Sequence, residues 1–204
     1  MNAKRRRRVR RWLIALAALV ILALAGFSAL PWVLIAPAET APSDVLLHLA
    51  IDPHSDSNLY VAQLYQQGMA KKVVCVSSQV AWETYPADYA VRHLMTLNIP
   101  EEDLSALHLP FTDCGAEDVQ YLAEYVKSRG GKSALLVVDP SGSRAGRRLI
   151  EKYFGRAGIR VAVTYSPRDK QELLHDWWRT HWKAQRIVVS AIGSALDLLY
   201  PQCR

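Results

Sequence analysis

Cysteine is scarce in this chain of 204 residues: Cys75, Cys114 and Cys203 are the whole set. Three widely spaced thiols form at most one disulfide, so a disulfide-stapled miniprotein is excluded. Glycine and proline number ten each, too few for a collagen-like or low-complexity chain. No G-x-G-x-x-G or G-x-x-x-x-G-K-[S/T] segment occurs, which removes the sequence case for a dinucleotide fingerprint or a P-loop. The G-x-S-x-G elbow of a serine hydrolase is missing as well. The body of the chain also lacks excess positive charge. Seven basic residues stand among the first eleven, and the rest of the chain holds 18 Lys and Arg against 19 acids. A near-neutral body excludes a broad basic groove for nucleic acid and assigns the formal charge of +6 to the N-terminus.

Directly after that basic tail come 25 residues without a charge, WLIALAALVILALAGFSALPWVLIA, over 12–36. At about 1.5 Å rise per helical residue this run is long enough to cross a hydrocarbon layer roughly 30 Å thick. Seven basic residues precede it and the next one is Lys71, so the positive-inside rule predicts a cytoplasmic N-terminus and an exported C-terminal domain at the plasma membrane. Trp12 and Trp32 stand where interfacial aromatics belong. Residues 12–36 are the predicted transmembrane anchor; because Pro31 removes a helical hydrogen bond, a span over about 12–30 with an interfacial continuation is the variant reading. A cleaved signal peptide is the rival reading, with Ala36, Ala38 and Ala41 as small residues for a cleavage site. The apolar run exceeds a usual signal core, which favours a retained anchor. The basic tail, residues 1–11, then faces anionic lipid.

Residues 37–43 read as a linker and 44–204 as one domain. Short Val- and Leu-rich clusters at 45–49, 72–76, 104–109, 134–138 and 159–163 lack the strict alternation of a solvated antiparallel face and predict buried strands. Helix-length segments with apolar residues three or four apart lie between them, at 58–67, 87–97, 117–128 and 144–154. Alternating strands and helices predict an α/β, Rossmann-like three-layer fold with a mostly parallel sheet of five or six strands. Residues 171–182 and 187–199 read as helical, with 186–190 equally open to being a sixth strand. In 173–182, LLHDWWRTHW, helical spacing puts Leu174, Trp178 and Trp182 on one face, predicted to plug the sheet or its end. A further exposed tryptophan there would suit a sugar or the membrane surface.

Several segments carry a family resemblance: LYVAQLYQQGMAKKVVCVSSQ, MTLNIPEEDL, FTDCGAEDVQYLAEYV and LLVVDPSGSRAGRRLIEKYFGRAGI. Together, across about 43–199, they resemble the YdcF-like family, which includes the SanA-like and ElyC-like envelope proteins. The resemblance implies a Rossmann-like fold behind an N-terminal membrane segment and a role in envelope or cell-surface biogenesis. Where that family has a Gly-rich loop after its first strand, this chain has Ile51, Asp52, Pro53, His54, Ser55 and Asp56. Where it has Ser-Gly-Gly after the second strand, this chain has Ser77, Ser78 and Gln79. The family's Thr and Glu align with Cys114 and Glu117, and its His before an Arg-Ala pair falls on Ser141 or Gly142, with Arg144 as the arginine. The acidic residue and the arginine are retained and the histidine is replaced.

Parallel α/β sheets bind ligands beyond the carboxyl ends of their strands. Those loops hold the candidate site: Asp52 and Glu117 as proton-handling carboxylates, and Ser77, Ser78, Cys114, Ser141, Gly142, Ser143 and Arg144 as ligand-binding residues. The 141–143 segment before a helix offers hydroxyl and amide groups to a phosphoryl or carboxylate group, with Arg144 as a charge-assisted donor. The plainer alternative is an N-cap beside a surface arginine. Asp52, His54 and Asp56 are of metal-ligand type but equally good turn formers, and no metal is assigned. Cys114 opens a helix, where its thiol pKa would fall, yet Asp113 and Glu117 oppose that effect. Cys75 reads as a small buried hydrophobe.

The sequence therefore predicts a single-pass envelope protein whose exported domain binds or processes a phosphorylated sugar, nucleotide or lipid-linked carbohydrate. The alternative is a non-catalytic scaffold or regulatory protein that keeps the fold without the active site. The expected partners are the bilayer, through the N-terminal helix, and an anionic small molecule or lipid-linked carbohydrate; nucleic acid is not expected. No cofactor is specified.

Overall fold

The computed structural model describes residues 3–52, 56–110 and 115–199. Helix α1 (Ala3–Leu34) is built on an Ala- and Leu-rich sequence of high helix propensity. Its segment Trp12–Leu34 is long and apolar enough to cross a membrane, and residues 12–29 are exposed throughout. Helix α1 continues through Pro31, and the Ile35 amide donates to the Pro31 carbonyl at 3.0 Å. Proline removes one donor from the preceding turn. Burial of Leu34, Ile35 and Ala36 holds the last turn against the domain.

The domain alternates strand and helix: β1 (Val45–His48), α2 (Ser57–Gln66), β2 (Val73–Ser78), α3 (Pro86–Thr96), β3 (Leu104–Leu109), α4 (Gly115–Ser128), β4 (Ser133–Val137), α5 (Ser143–Ala157) and β5 (Arg160–Thr164). All five strands are parallel, in the order β3-β2-β1-β4-β5. This is the Rossmann-like α/β architecture, and its strand order reverses beside the central β1.

Successive residues on each strand face opposite layers. Leu46, Val73, Cys75, Leu135 and Val137 pack under α2 and α3, with Val61, Leu64, Ala90 and Leu94. Leu47, Val74, Val76, Leu136 and Val163 pack under α4 and α5, with Leu122, Val126, Ile150 and Phe154. The middle strands are buried on both faces, which is why they read as unbroken apolar runs. β3 is an edge strand and only Leu107 in it is buried. Gly158, at φ 77°, closes α5 in the left-handed conformation that glycine adopts without strain.

The C-terminal region differs from the sequence expectation. Residues 186–190 are not a sixth strand; they lie inside α7 (His181–Leu199), which comes after α6 (Pro167–Asp176). Lys183 and Ile187 are buried at helical spacing along α7. The buried tryptophan is Trp177, at 2% exposure, rather than Trp178, at 58%. The helical spacing that pointed to Trp178 fails because α6 ends at Asp176 and a turn intervenes before His181. Trp177 joins Leu34, Ile35, Tyr165, Leu173 and Ile187 in a third core, which seats the end of α1 on the domain.

Candidate functional site

The switch point of the sheet lies between the carboxyl ends of β1 and β4, where a Rossmann-like fold forms its ligand crevice. Here Arg186 of α7 occupies the ground between the two loops. One of its terminal nitrogens donates to Asp52 Oδ2, after β1, and the other to Asp139 Oδ2, after β4, at 2.8 Å. Burial pushes the guanidinium pKa down from its ordinary value; arginine nevertheless remains the cation of this triad at neutral pH. The Trp182 ring lies 5.2 Å from the guanidinium carbon and shields it further.

Asp139 is doubly used. Its Oδ1 accepts from the Ser141 amide at 2.8 Å and the Ser141 hydroxyl at 2.5 Å, capping the short 3-10 turn Pro140–Gly142. The Ser141 hydroxyl also lies 3.3 Å from Ser190 Oγ of α7. On the β1 side, Arg168 of α6 pairs with Asp56 at 2.7 Å, and the Asp56 amide donates to Asp169 at 3.1 Å. Lys183 of α7 pairs with Glu172 of α6 at 2.6 Å, which lowers the Glu172 pKa and ties the two helices together. The switch point is thus roofed by α6 and α7.

Ser143 and Arg144 turn toward the chain's own membrane-proximal strap. The buried Ser143 hydroxyl accepts from the Ala36 amide at 2.9 Å and donates to the Pro140 carbonyl at 2.8 Å. Arg144 donates to the Ile35 carbonyl at 3.0 Å, and the Tyr165 hydroxyl donates to that of Ala36 at 2.7 Å. Arg147 donates to the Pro37 carbonyl at 3.0 Å and pairs with Glu39 at 2.7 Å, while the Glu39 amide donates to Val163 at 2.8 Å. The first turn of α5 and Arg147 are therefore occupied by the backbone of residues 35–37.

The other predicted residues fall on the opposite half of the carboxyl edge. Ser77 and Ser78, at the end of β2, line a cavity of about 280 Å³ together with Leu49, Ile51, Val80 and Leu109. Ser77 Oγ accepts from the Ala87 amide at 3.0 Å and so helps fix the start of α3. Glu117 is exposed in the first turn of α4. Cys114, His54 and the rest of residues 53–55 and 111–114 lie outside the described residues, as does Cys203. Asp52 and Asp56, the remaining members of the metal-type loop, both pair with arginines. A larger cavity, about 370 Å³, lies at the amino ends of the strands beside Lys72 and Asp103. Lys72 there pairs with Asp103 at 2.7 Å and Tyr65 donates to Asp103 at 2.5 Å.

Sequence reasoning missed two residues of the carboxyl edge. Arg186 was hidden in a segment with two structural readings. His48, the last residue of β1, is completely buried; its Nε2–H donates to Asn58 Oδ1 at 2.8 Å, and the Asn58 amide donates to His93 Nδ1 at 2.9 Å. Burial pushes the His48 pKa down to about 4, so the imidazole is neutral at physiological pH. Its Nδ1 is buried with no hydrogen-bond partner. The one signal in the sequence was a titratable residue inside an apolar strand.

No family model and no curated protein matches this chain. Solved structures match only with low similarity, two of them as follows. A class III photolyase from Agrobacterium tumefaciens is 18% identical over 72% of this chain, with a TM-score of 0.37. This chain spans only 29% of the photolyase's length. The U34-tRNA thiolase NcsA from Methanococcus maripaludis, with its [4Fe-4S] cluster, is 11% identical over 88% of this chain and 74% of its own, with a TM-score of 0.39. The chain is a membrane-associated protein with a Rossmann-like domain, as its own helix and sheet establish.

Proposed function

We propose that this protein is a membrane-anchored scaffold or regulatory protein of the cell envelope, with a cytoplasmic N-terminus and an exported domain that keeps a Rossmann-like frame without an open active site. The observation that carries this reading is the bridge of Arg186 to Asp52 and Asp139 across the switch point. A crevice that is filled by the chain's own cation, roofed by two of its own helices and strapped to its own anchor has become a structural joint. The basic residues before the apolar run support the orientation. The envelope role rests on the resemblance to YdcF-like proteins.

A second reading keeps ligand binding. It rests on the cavity beside Ser77 and Ser78, which would take a phosphorylated sugar, nucleotide or lipid-linked carbohydrate, with Glu117 in the first turn of α4 as the candidate carboxylate.

Thermal unfolding of the full-length protein in lipid nanodiscs separates the two, because a ligand that prefers the folded state raises the transition by mass action. The scaffold reading expects no saturable shift from nucleotides, sugar phosphates, lipid-phosphate analogues or divalent metals. A saturable shift abolished by Ser78→Val or Glu117→Gln would replace it with the ligand-binding reading.

A further inference from the structure

The geometry points to a second membrane contact: the 187–196 stretch of α7 rests its outer face in the acyl-headgroup boundary of the bilayer beside the anchor helix. From Ile187 to Leu196 the sequence has no charged residue, and the exposed side of that stretch consists of Val188, Val189, Ile192, Gly193, Ala195 and Leu196. Val189, Ile192 and Leu196 are 60%, 54% and 48% exposed. One and two turns earlier, the same side of the helix carries Gln185 and His181. A helix face that is polar over His181 and Gln185, apolar from Val188 to Leu196 and followed by Asp197 is suited to a boundary between water and hydrocarbon.

The bilayer is the occupant because this face continues the surface of a membrane-spanning helix. α7 packs on α1, and Ala184 and Ala191 of α7 lie against the same core as Leu30 and Leu34 of α1. The Phe27 ring lies 4.6 Å from that of Trp177, in the turn between α6 and α7. Phe27 is seven residues before Leu34, roughly 10 Å along the helix axis. Contacts at that depth in a span of roughly 30 Å bring the α6–α7 corner into the level of the lipid. Trp178, exposed in the same turn, carries Arg179 over its ring at 5.0 Å, an amphipathic pair of the kind that settles at the interface.

This inference rests on membrane association through α1 and is independent of whether the domain binds a ligand. The test uses the full chain with Cys114→Ser and Cys203→Ser and one new cysteine at a time, Val189→Cys, Ile192→Cys or, at the exposed amino edge of the sheet, Glu101→Cys, labelled with an environment-sensitive fluorophore. The labelled proteins are reconstituted in phosphatidylcholine–phosphatidylglycerol vesicles with and without doxyl-labelled phosphatidylcholine. The probes at 189 and 192 are expected to shift to the blue and lose most of their emission to the doxyl lipid, while the probe at 101 keeps its emission and is quenched by aqueous iodide. Iodide quenching at 189 and 192 equal to that at 101, without doxyl quenching, would overturn the proposal. So would efficient disulfide cross-linking between copies through Ile192→Cys, which would assign the face to a second copy of the chain.

Discussion

The Ser143 hydroxyl accepts the amide proton of Ala36 across 107 positions of sequence, at 2.9 Å and out of contact with solvent. This bond joins the first turn of α5 to the residues just after α1, so the apolar helix is fixed to the domain at the carboxyl edge of the sheet. Ser143→Ala leaves the Ala36 amide buried without an acceptor, at a cost of about 1–3 kcal/mol. The expected outcome is a lowered unfolding transition in nanodiscs together with faster proteolysis within 35–39. An unchanged cleavage rate would show that Arg144 and Tyr165 hold the strap alone.

Arg186→Met removes the cation between Asp52 and Asp139. Breaking a fully buried pair costs about 3–5 kcal/mol. The Arg186 side chain is a quarter exposed, so solvent screening reduces the expected loss to about 2–3 kcal/mol. Arg186→Lys keeps the charge but cannot span both carboxylates with a planar fork, and intermediate stability is expected. Chemical denaturation of the three proteins at one pH checks the order.

His48 makes stability depend on pH. Its folded pKa of about 4 lies below the ordinary 6.5, so between those values the unfolded chain binds more protons than the folded one. Stability therefore rises with pH across that window and falls as the solution is acidified from pH 6.5 toward 4. A difference of this size is worth about 3 kcal/mol when fully developed. His48→Leu should flatten that part of the profile; a slope unchanged by the substitution would assign it to other groups.

The two adjacent tryptophans should respond oppositely. Trp177→Ala empties a buried site shared with Phe27 and Leu173 and should cost about 3–5 kcal/mol. Trp178→Ala lies at an exposed position and should change stability by about 0.5 kcal/mol or less. Equal losses in thermal melts would contradict the placement of the α6–α7 turn.

Local pattern determined much of this protein. The charge-free run after a basic tail is visible without a structure because membrane crossing depends on length and hydropathy alone. Strands β1, β2 and β4 could be read from their apolar runs, since a sheet covered on both faces requires them. So could the helices α2–α5, whose apolar residues recur at helical spacing.

Tertiary structure decided the rest. The order β3-β2-β1-β4-β5 depends on which parallel neighbours pair, information no single strand carries. Among the residues chosen by loop position, Asp52 and Ser143 have partners distant in sequence: Asp52 meets Arg186, and Ser143 meets Ala36. Trp177 rather than Trp178 is buried because a turn breaks the helical phase there. Side-chain type announces what chemistry a residue can perform, whereas its partner and its burial are set by long-range packing; that packing is what sets Arg186 between Asp52 and Asp139 and ties Ser143 to the end of the N-terminal helix.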